Sequence, residues 1–257
     1  MQEENKVVIP AVMRTLDILE NLFASTRPKS LTELSKELHI PQASLFRILK
    51  CMDSRDYITT IEEVPYKYTI AYKPIQLVTE YKDRYNYKEI VKPVMEILTY
   101  KTHQTAQYAV FQNNQFYYIE QVLSTAELNY IAQLYKPLEI NSSAGAKIIL
   151  ANLPLEVQNT YLSNTSLQQK TANTIVDVDE LRKDLENSFL RGYALDNEEF
   201  AGGIGCMSVP IFNKRQKCVG AIGVTGRIKE YEDKENFNYI FTCLTEAAQS
   251  IMNKLVV

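Results

Sequence analysis

The chain has 257 residues, 46% of them hydrophobic, with a formal net charge of −3, and it carries four cysteines and two histidines. That length buries a core without staples, and Cys51, Cys206, Cys218 and Cys243 form no C-x-x-C pair, so no structural metal and no cofactor are expected. No apolar run approaches the roughly 18 residues of a membrane span, so the expectation is a soluble, cytoplasmic chain, and its mild acidity excludes an indiscriminately basic nucleic-acid binder.

Residues 9 to 23 place Val12, Leu16, Leu19 and Phe23 at helical spacing, with Arg14, Asp17 and Glu20 elsewhere on the wheel. Ser30-Leu-Thr-Glu33 has the form of a capping box and predicts a short second helix ending near Leu38. Pro41 suits the first turn of a third helix, where its missing N–H would be unpaired anyway. In that helix Leu45, Ile48, Leu49 and Met52 form one apolar stripe, which leaves Gln42, Ala43, Ser44, Phe46, Arg47 and Lys50 wholly or partly off the core. Two β-favouring runs, 57–61 and 66–70, flank Glu62-Glu63-Val64-Pro65 and predict a wing hairpin. Three short helices and a hairpin make a winged helix-turn-helix, although such a module can also serve as a docking or dimerisation unit.

Residues 71–85 predict a connecting helix that starts near Pro74, and 87–102 resume helical periodicity. The period then changes: 107–111, the turn Asn113-Asn114 and 116–122 predict a hairpin, followed by a strand over 128–133. Helices are expected over 142–154, 177–191 and 231–255, with β-rich runs at 205–212 and 218–225. The fold class is α+β, an antiparallel sheet flanked by helices behind the winged helix. The expected division is 1–70 for the winged helix-turn-helix, 71–85 for the linker helix and 86–257 for the α+β domain.

Several stretches resemble the IclR family of transcription regulators in order and spacing. They are Arg14-Thr-Leu-Asp-Ile-Leu-Glu, Ile40-Pro-Gln-Ala-Ser-Leu-Phe-Arg-Ile-Leu, Ser142-Ser-Ala-Gly-Ala-Lys147, Gly192-Tyr-Ala-Leu-Asp-Asn-Glu-Glu199, Gly205-Cys-Met-Ser-Val-Pro210 and Val219-Gly-Ala-Ile-Gly-Val-Thr225. The resemblance implies a homodimer, or a dimer of dimers, that binds a palindromic double-stranded DNA operator. It also implies a GAF/profilin-like domain that binds a small-molecule effector. The serines of that family's late pocket strand are replaced here by Gly223 and Thr225, which bears on effector identity more than on fold.

A recognition helix presents its first residues to base edges, where a guanidinium pairs with guanine and an amide with adenine. Arg47 and Gln42 have that chemistry, Ser44 suits a base or a phosphate, and Phe46 could cover a thymine methyl. Lys50, Lys67 and Arg55 suit phosphates. Ser143, Ala144 and Gly145 stand at a predicted helix start, where free N–H groups favour a carboxylate, so a small organic acid is the expected effector, with an aromatic acid as the alternative. By resemblance Asp196, Cys206, Gly223 and Thr225 join them. The other reading of Ala144 and Gly145 is close helix packing, and that of Cys206 is a buried inert thiol. A cysteine-dependent enzyme or a thiol redox sensor built on Cys206 is the rival function, but neither His39 nor His103 has a motif tying it to that thiol.

Overall fold

The computed structural model describes residues 9–62, 65–84, 87–125 and 130–255. The chain divides into two compact units, Met1–Tyr85 and Asn86–Val257.

The first unit runs α1 (Pro10–Ala24), β1 (Lys29–Ser30), α2 (Leu31–Leu38), α3 (Gln42–Asp53), β2 (Ile58–Ile61), β3 (Lys67–Ile70) and α4 (Lys73–Arg84). The capping box forms: Ser30 Oγ accepts from the Glu33 N–H, and a Glu33 carboxylate oxygen accepts from the Ser30 N–H at 2.7 Å. Arg27, bonded to the same carboxylate, and the Ser30 donors hold the Glu33 carboxyl down to about 2. His39, with φ 53°, closes α2 in the left-handed region, and Pro41 stands at the N-cap position of α3, one residue before the first turn expected for it. Leu45, Leu49 and Met52 then reach a core that also holds Ile18, Leu22, Leu34, Ile58 and Tyr68. The hairpin forms with β3 central in an antiparallel sheet ordered β1-β3-β2. Glu63 and Val64 of the expected wing turn lie outside the described residues.

In α1 the structure corrects the expected core face. Ile18 and Leu22 are buried, whereas Val12, Leu16 and Phe23 are 52%, 47% and 56% exposed. The helix is apolar on two faces, so periodicity alone selects a stripe without saying which one the fold covers.

The second unit runs α5 (Tyr87–Thr102), β4 (Thr105–Gln112), β5 (Gln115–Val122), a 3-10 turn (Ile140–Ser142), α6 (Ala144–Ala151), α7 (Leu155–Ser163) and α8 (Val178–Arg191). It continues with β6 (Ala194–Asn197), β7 (Ile204–Phe212), β8 (Cys218–Arg227), α9 (Lys229–Glu232) and α10 (Lys234–Lys254). The five strands form one antiparallel sheet ordered β5-β4-β8-β7-β6. Asn113 and Asn114, both with positive φ, make the β4–β5 turn in the backbone that a two-residue hairpin requires.

Both faces of this sheet are covered. Met207, Val209, Ile211, Ile222 and Val224 pack with α5 and α10, while the alternate positions Ala109, Cys206 and Ala221 face the side of α6. Each strand therefore sorts its residues between two cores by the period of two.

Three sequence expectations change here. Of the strand expected over 128–133, residues 128 and 129 lie outside the described residues and 130–133 form no strand; instead the Gln121 side chain bonds both the N–H and the C=O of Ala132, taking the place of a strand neighbour. The closing helix breaks at Asp233, which caps α10 by accepting from the Asn236 N–H. The elements α7 and β6 were not expected, the first having almost no apolar periodicity and the second being four residues long.

Candidate functional site

On α3 the buried residues leave Gln42, Ala43, Phe46, Arg47 and Lys50 exposed, with Ser44 half-buried. Phe46 is 44% exposed, and Lys50 Nζ sits 5.8 Å from its ring centroid, so the pair forms one cationic, apolar ridge. Lys67 differs from these residues: it lies on the central strand β3, half-buried and already engaged by a neighbour. A groove between α1 and α3 is lined by Arg14, Ser44, Arg47, Cys51 and Arg55. Among the described residues no acidic side chain lines it, and three guanidinium groups meet around one concavity.

In the second unit a cavity of about 410 Å³ opens on the α6 side of the sheet. Its floor comes from four elements. Asp196 on β6 is buried, with Oδ1 accepting from the Glu199 and Phe200 N–H groups at 2.7 and 3.1 Å. Its Oδ2 accepts from Cys206 Sγ at 3.5 Å. Burial pushes the Asp196 carboxyl up against the pull of those two backbone donors, and burial likewise pushes the Cys206 thiol well up. Gln107 on β4, 2% exposed, accepts through Oε1 from Thr225 Oγ1 at 2.9 Å, while its Nε2 has no partner among the described residues. Ser143 caps α6 and shares a hydrogen bond of 3.2 Å with the Tyr118 hydroxyl.

The expected effector residues therefore separate. Ser143, Asp196 and Cys206 line the cavity. Thr225 stands one layer behind, 3.1 Å from Cys206 Sγ. Ala144 and Gly145 are buried directly after Ser143, and a Cβ on Gly145 would lie 3.0 Å from Ala109 Cβ, so this glycine permits close packing of α6 on β4. Gly223 does not line the cavity, because the space beside its Cα is occupied by the Ser208 hydroxyl. Sequence reasoning missed Gln107, Tyr118, Tyr130, Lys136, Lys170 and Phe200, which lie on segments far apart in the chain and carry no shared motif.

Behind the cavity Lys147, fully buried on α6, donates to Asp184, Glu199 and the Leu195 carbonyl at 2.9, 2.7 and 2.9 Å. This ties α6 to α8 and to the loop that presents Phe200.

Residues 79–253 match the family described as the bacterial transcriptional regulator IclR C-terminal domain, and residues 11–61 match the IclR helix-turn-helix domain. The chain belongs to the IclR family. It is a DNA-binding transcription regulator with an N-terminal helix-turn-helix and a C-terminal effector domain. It is 24% identical to the HTH-type transcriptional regulator KipR of Bacillus subtilis over 99% of both chains. Among solved structures it resembles the Thermotoga maritima IclR, with a TM-score of 0.75 and 24% identity over 96% of this chain and 98% of that one. It also resembles an IclR homologue from Microbacterium hydrocarbonoxydans complexed with 4-hydroxybenzoate, with a TM-score of 0.77 and 18% identity over 95% and 98%. In this IclR-family chain the α3 ridge and the α6-side cavity are thus the candidate DNA reader and effector site. Among the described residues no helix is long and apolar enough to cross a membrane.

Proposed function

We propose that this regulator acts in the cytoplasm as a homodimer, or as a dimer of dimers, reading a palindromic operator with α3 and releasing or engaging it when a small organic acid fills the cavity. The exposed face of α3 carries this reading: Gln42, Arg47 and Lys50 are presented to solvent by a helix whose opposite face is fully used in the core. Arg47 and Gln42 read base edges, while Arg14 and Arg55, which share the groove with Arg47, hold backbone phosphates. A second copy fits the exposed stripe of Val12, Met13, Leu16 and Phe23 on α1 with Ile9 just before it, since a bare apolar stripe on a short domain is stabilised by a partner. The acid reading of the effector draws support from the cavity's basic rim and from the carboxylate-bearing ligand of the Microbacterium homologue.

A catalytic role for the chain is not part of this proposal. The Cys206 thiol gives its hydrogen to Asp196 and is held protonated by burial, the opposite of what a nucleophile or thiol sensor needs. The test is footprinting of purified protein on genomic fragments at modest ionic strength, with and without a panel of small acids. Protection of discrete symmetric sites that responds to one acid is the expected result, and uniform binding to all duplexes would overturn the reading.

A further inference from the structure

The segment 168–175 is neither helix nor strand, yet its backbone is fixed on two sides. The buried Asn141 amide, two residues before Ser143, donates to the Gln168 and Ile175 carbonyls at 3.0 and 2.8 Å. On the other side Thr171 Oγ1 donates to the Glu198 carbonyl at 2.7 Å and Thr174 Oγ1 to the Glu199 carbonyl at 2.6 Å. Thr174 Oγ1 also accepts from the Lys170 N–H at 3.1 Å. The segment is thus a strap from the entrance of α6 to the loop behind β6, and it carries Lys170 on the cavity wall. The Lys170 ammonium lies 4.4 Å from the centroid of the Phe200 ring and 3.2 Å from the Glu139 carboxylate, and both of these partners line the cavity as well.

The lysines near the cavity differ in what they can give to a ligand. Lys147 is fully buried and consumed by Asp184, Glu199 and the Leu195 carbonyl. Lys136 lines the cavity but is exposed, and among the described residues no acid pairs with it. Lys170 is both held in place and released at little cost. Its partner Glu139 has a side chain 41% exposed, and an ion pair open to water is weak because solvent screens both charges. A ligand carboxylate inside the cavity meets the same ammonium with less water around it, so it interacts more strongly.

We propose that Lys170 is the residue that binds the acidic group of the effector and that Glu139 is its built-in competitor, the ligand carboxylate taking the place of Glu139 on the ammonium. Glu139 leads directly into the 3-10 turn and α6, so the exchange frees a side chain at the entrance to that helix when the ligand arrives. The start of α6, where Ser142 and Ser143 line the cavity, stays open to the same ligand. This inference rests on the acid-effector reading and adds the side chain that binds the acid and the one that opposes it.

The test is calorimetric titration of the full chain with pyruvate, succinate, benzoate and 4-hydroxybenzoate, each beside its amide. The tightest acid is expected to weaken by roughly tenfold or more in Lys170→Ala, with its amide nearly unaffected, and to recover most of that loss in Lys170→Arg. Glu139→Gln is expected to tighten the same acid by about threefold in the unaltered chain and to leave it unchanged in a Lys170→Ala background, a dependence that a merely structural role of Glu139 does not produce. An acid that binds Lys170→Ala as well as the unaltered chain overturns the assignment and leaves the acid reading in place, as does a loss that appears in Lys136→Ala instead. Weaker binding in Glu139→Gln overturns the competitor role. Absence of binding by all four acids, in protein that still protects its operator, overturns the acid reading and this inference together.

Discussion

The reader helix α3 and the effector cavity place function in opposite physical settings. On α3 the working side chains sit on the surface of one continuous twelve-residue helix, and their positions follow from which residues the core takes. The cavity gathers Gln107, Ser143, Asp196 and Cys206 from four elements spread over a hundred residues, and it depends on sheet register to bring them together. A site on one element tolerates substitution with little effect on the fold. A site enclosed by a sheet and a buried ion cluster shares its residues with the fold.

That contrast can be broken most forcefully at Lys147. Replacing it with Met leaves Glu199 and the Leu195 carbonyl buried without their cation, and a loss of about 3 to 5 kcal/mol is expected in chemical denaturation. An unchanged midpoint would show that the cluster behind the cavity is not structural. In the first unit, Leu49→Ala empties a fully buried position and should cost about 2 to 5 kcal/mol, with operator binding lost through unfolding rather than through the interface.

Arg47→Ala sharpens the comparison from the other side. Its stability should stay within about 0.5 kcal/mol, because the side chain is exposed, yet operator affinity should fall by about 1 to 3 kcal/mol at one base position. Arg14→Ala should weaken all sequences alike and flatten the salt dependence, and a panel of operator variants at two ionic strengths separates the two behaviours. A uniform loss for Arg47 would move it among the phosphate contacts.

The second unit should also show a pH dependence. Burial pushes the Glu199 carboxyl up to about 7 against an ordinary 4.5, even with Lys147 beside it. The folded chain therefore retains a proton that the unfolded chain has released. Stability from this group is present in full below about pH 4.5 and is lost as pH rises through about 7. Thermal midpoints measured across that window should decline, and Glu199→Gln should flatten the decline.

Much of the reader was legible because its signals are local. Ser30 and Glu33 form the predicted capping box, Pro41 immediately precedes α3, and the spacing of Leu45, Leu49 and Met52 leaves the polar face outward. The phase of α1 was not legible, because Val12, Leu16 and Phe23 are as apolar as the buried Ile18 and Leu22. In the cavity the motif at 142–147 led to Ser143, while the smallness of Gly145 also serves packing on Ala109, a contact that no local pattern announces. Gln107 was invisible, since a lone glutamine in an alternating strand looks the same whether it meets solvent, a core or a ligand.

By itself, then, the order of residues determined most of the helices, the hairpins and the face of α3, because capping, proline placement and periodicity act between neighbours a few positions apart. The cavity, the unpaired Gln107 amide and the Lys147 cluster were decided by tertiary structure alone, because only strand pairing and the seating of α6 on the sheet bring those distant groups within bonding distance.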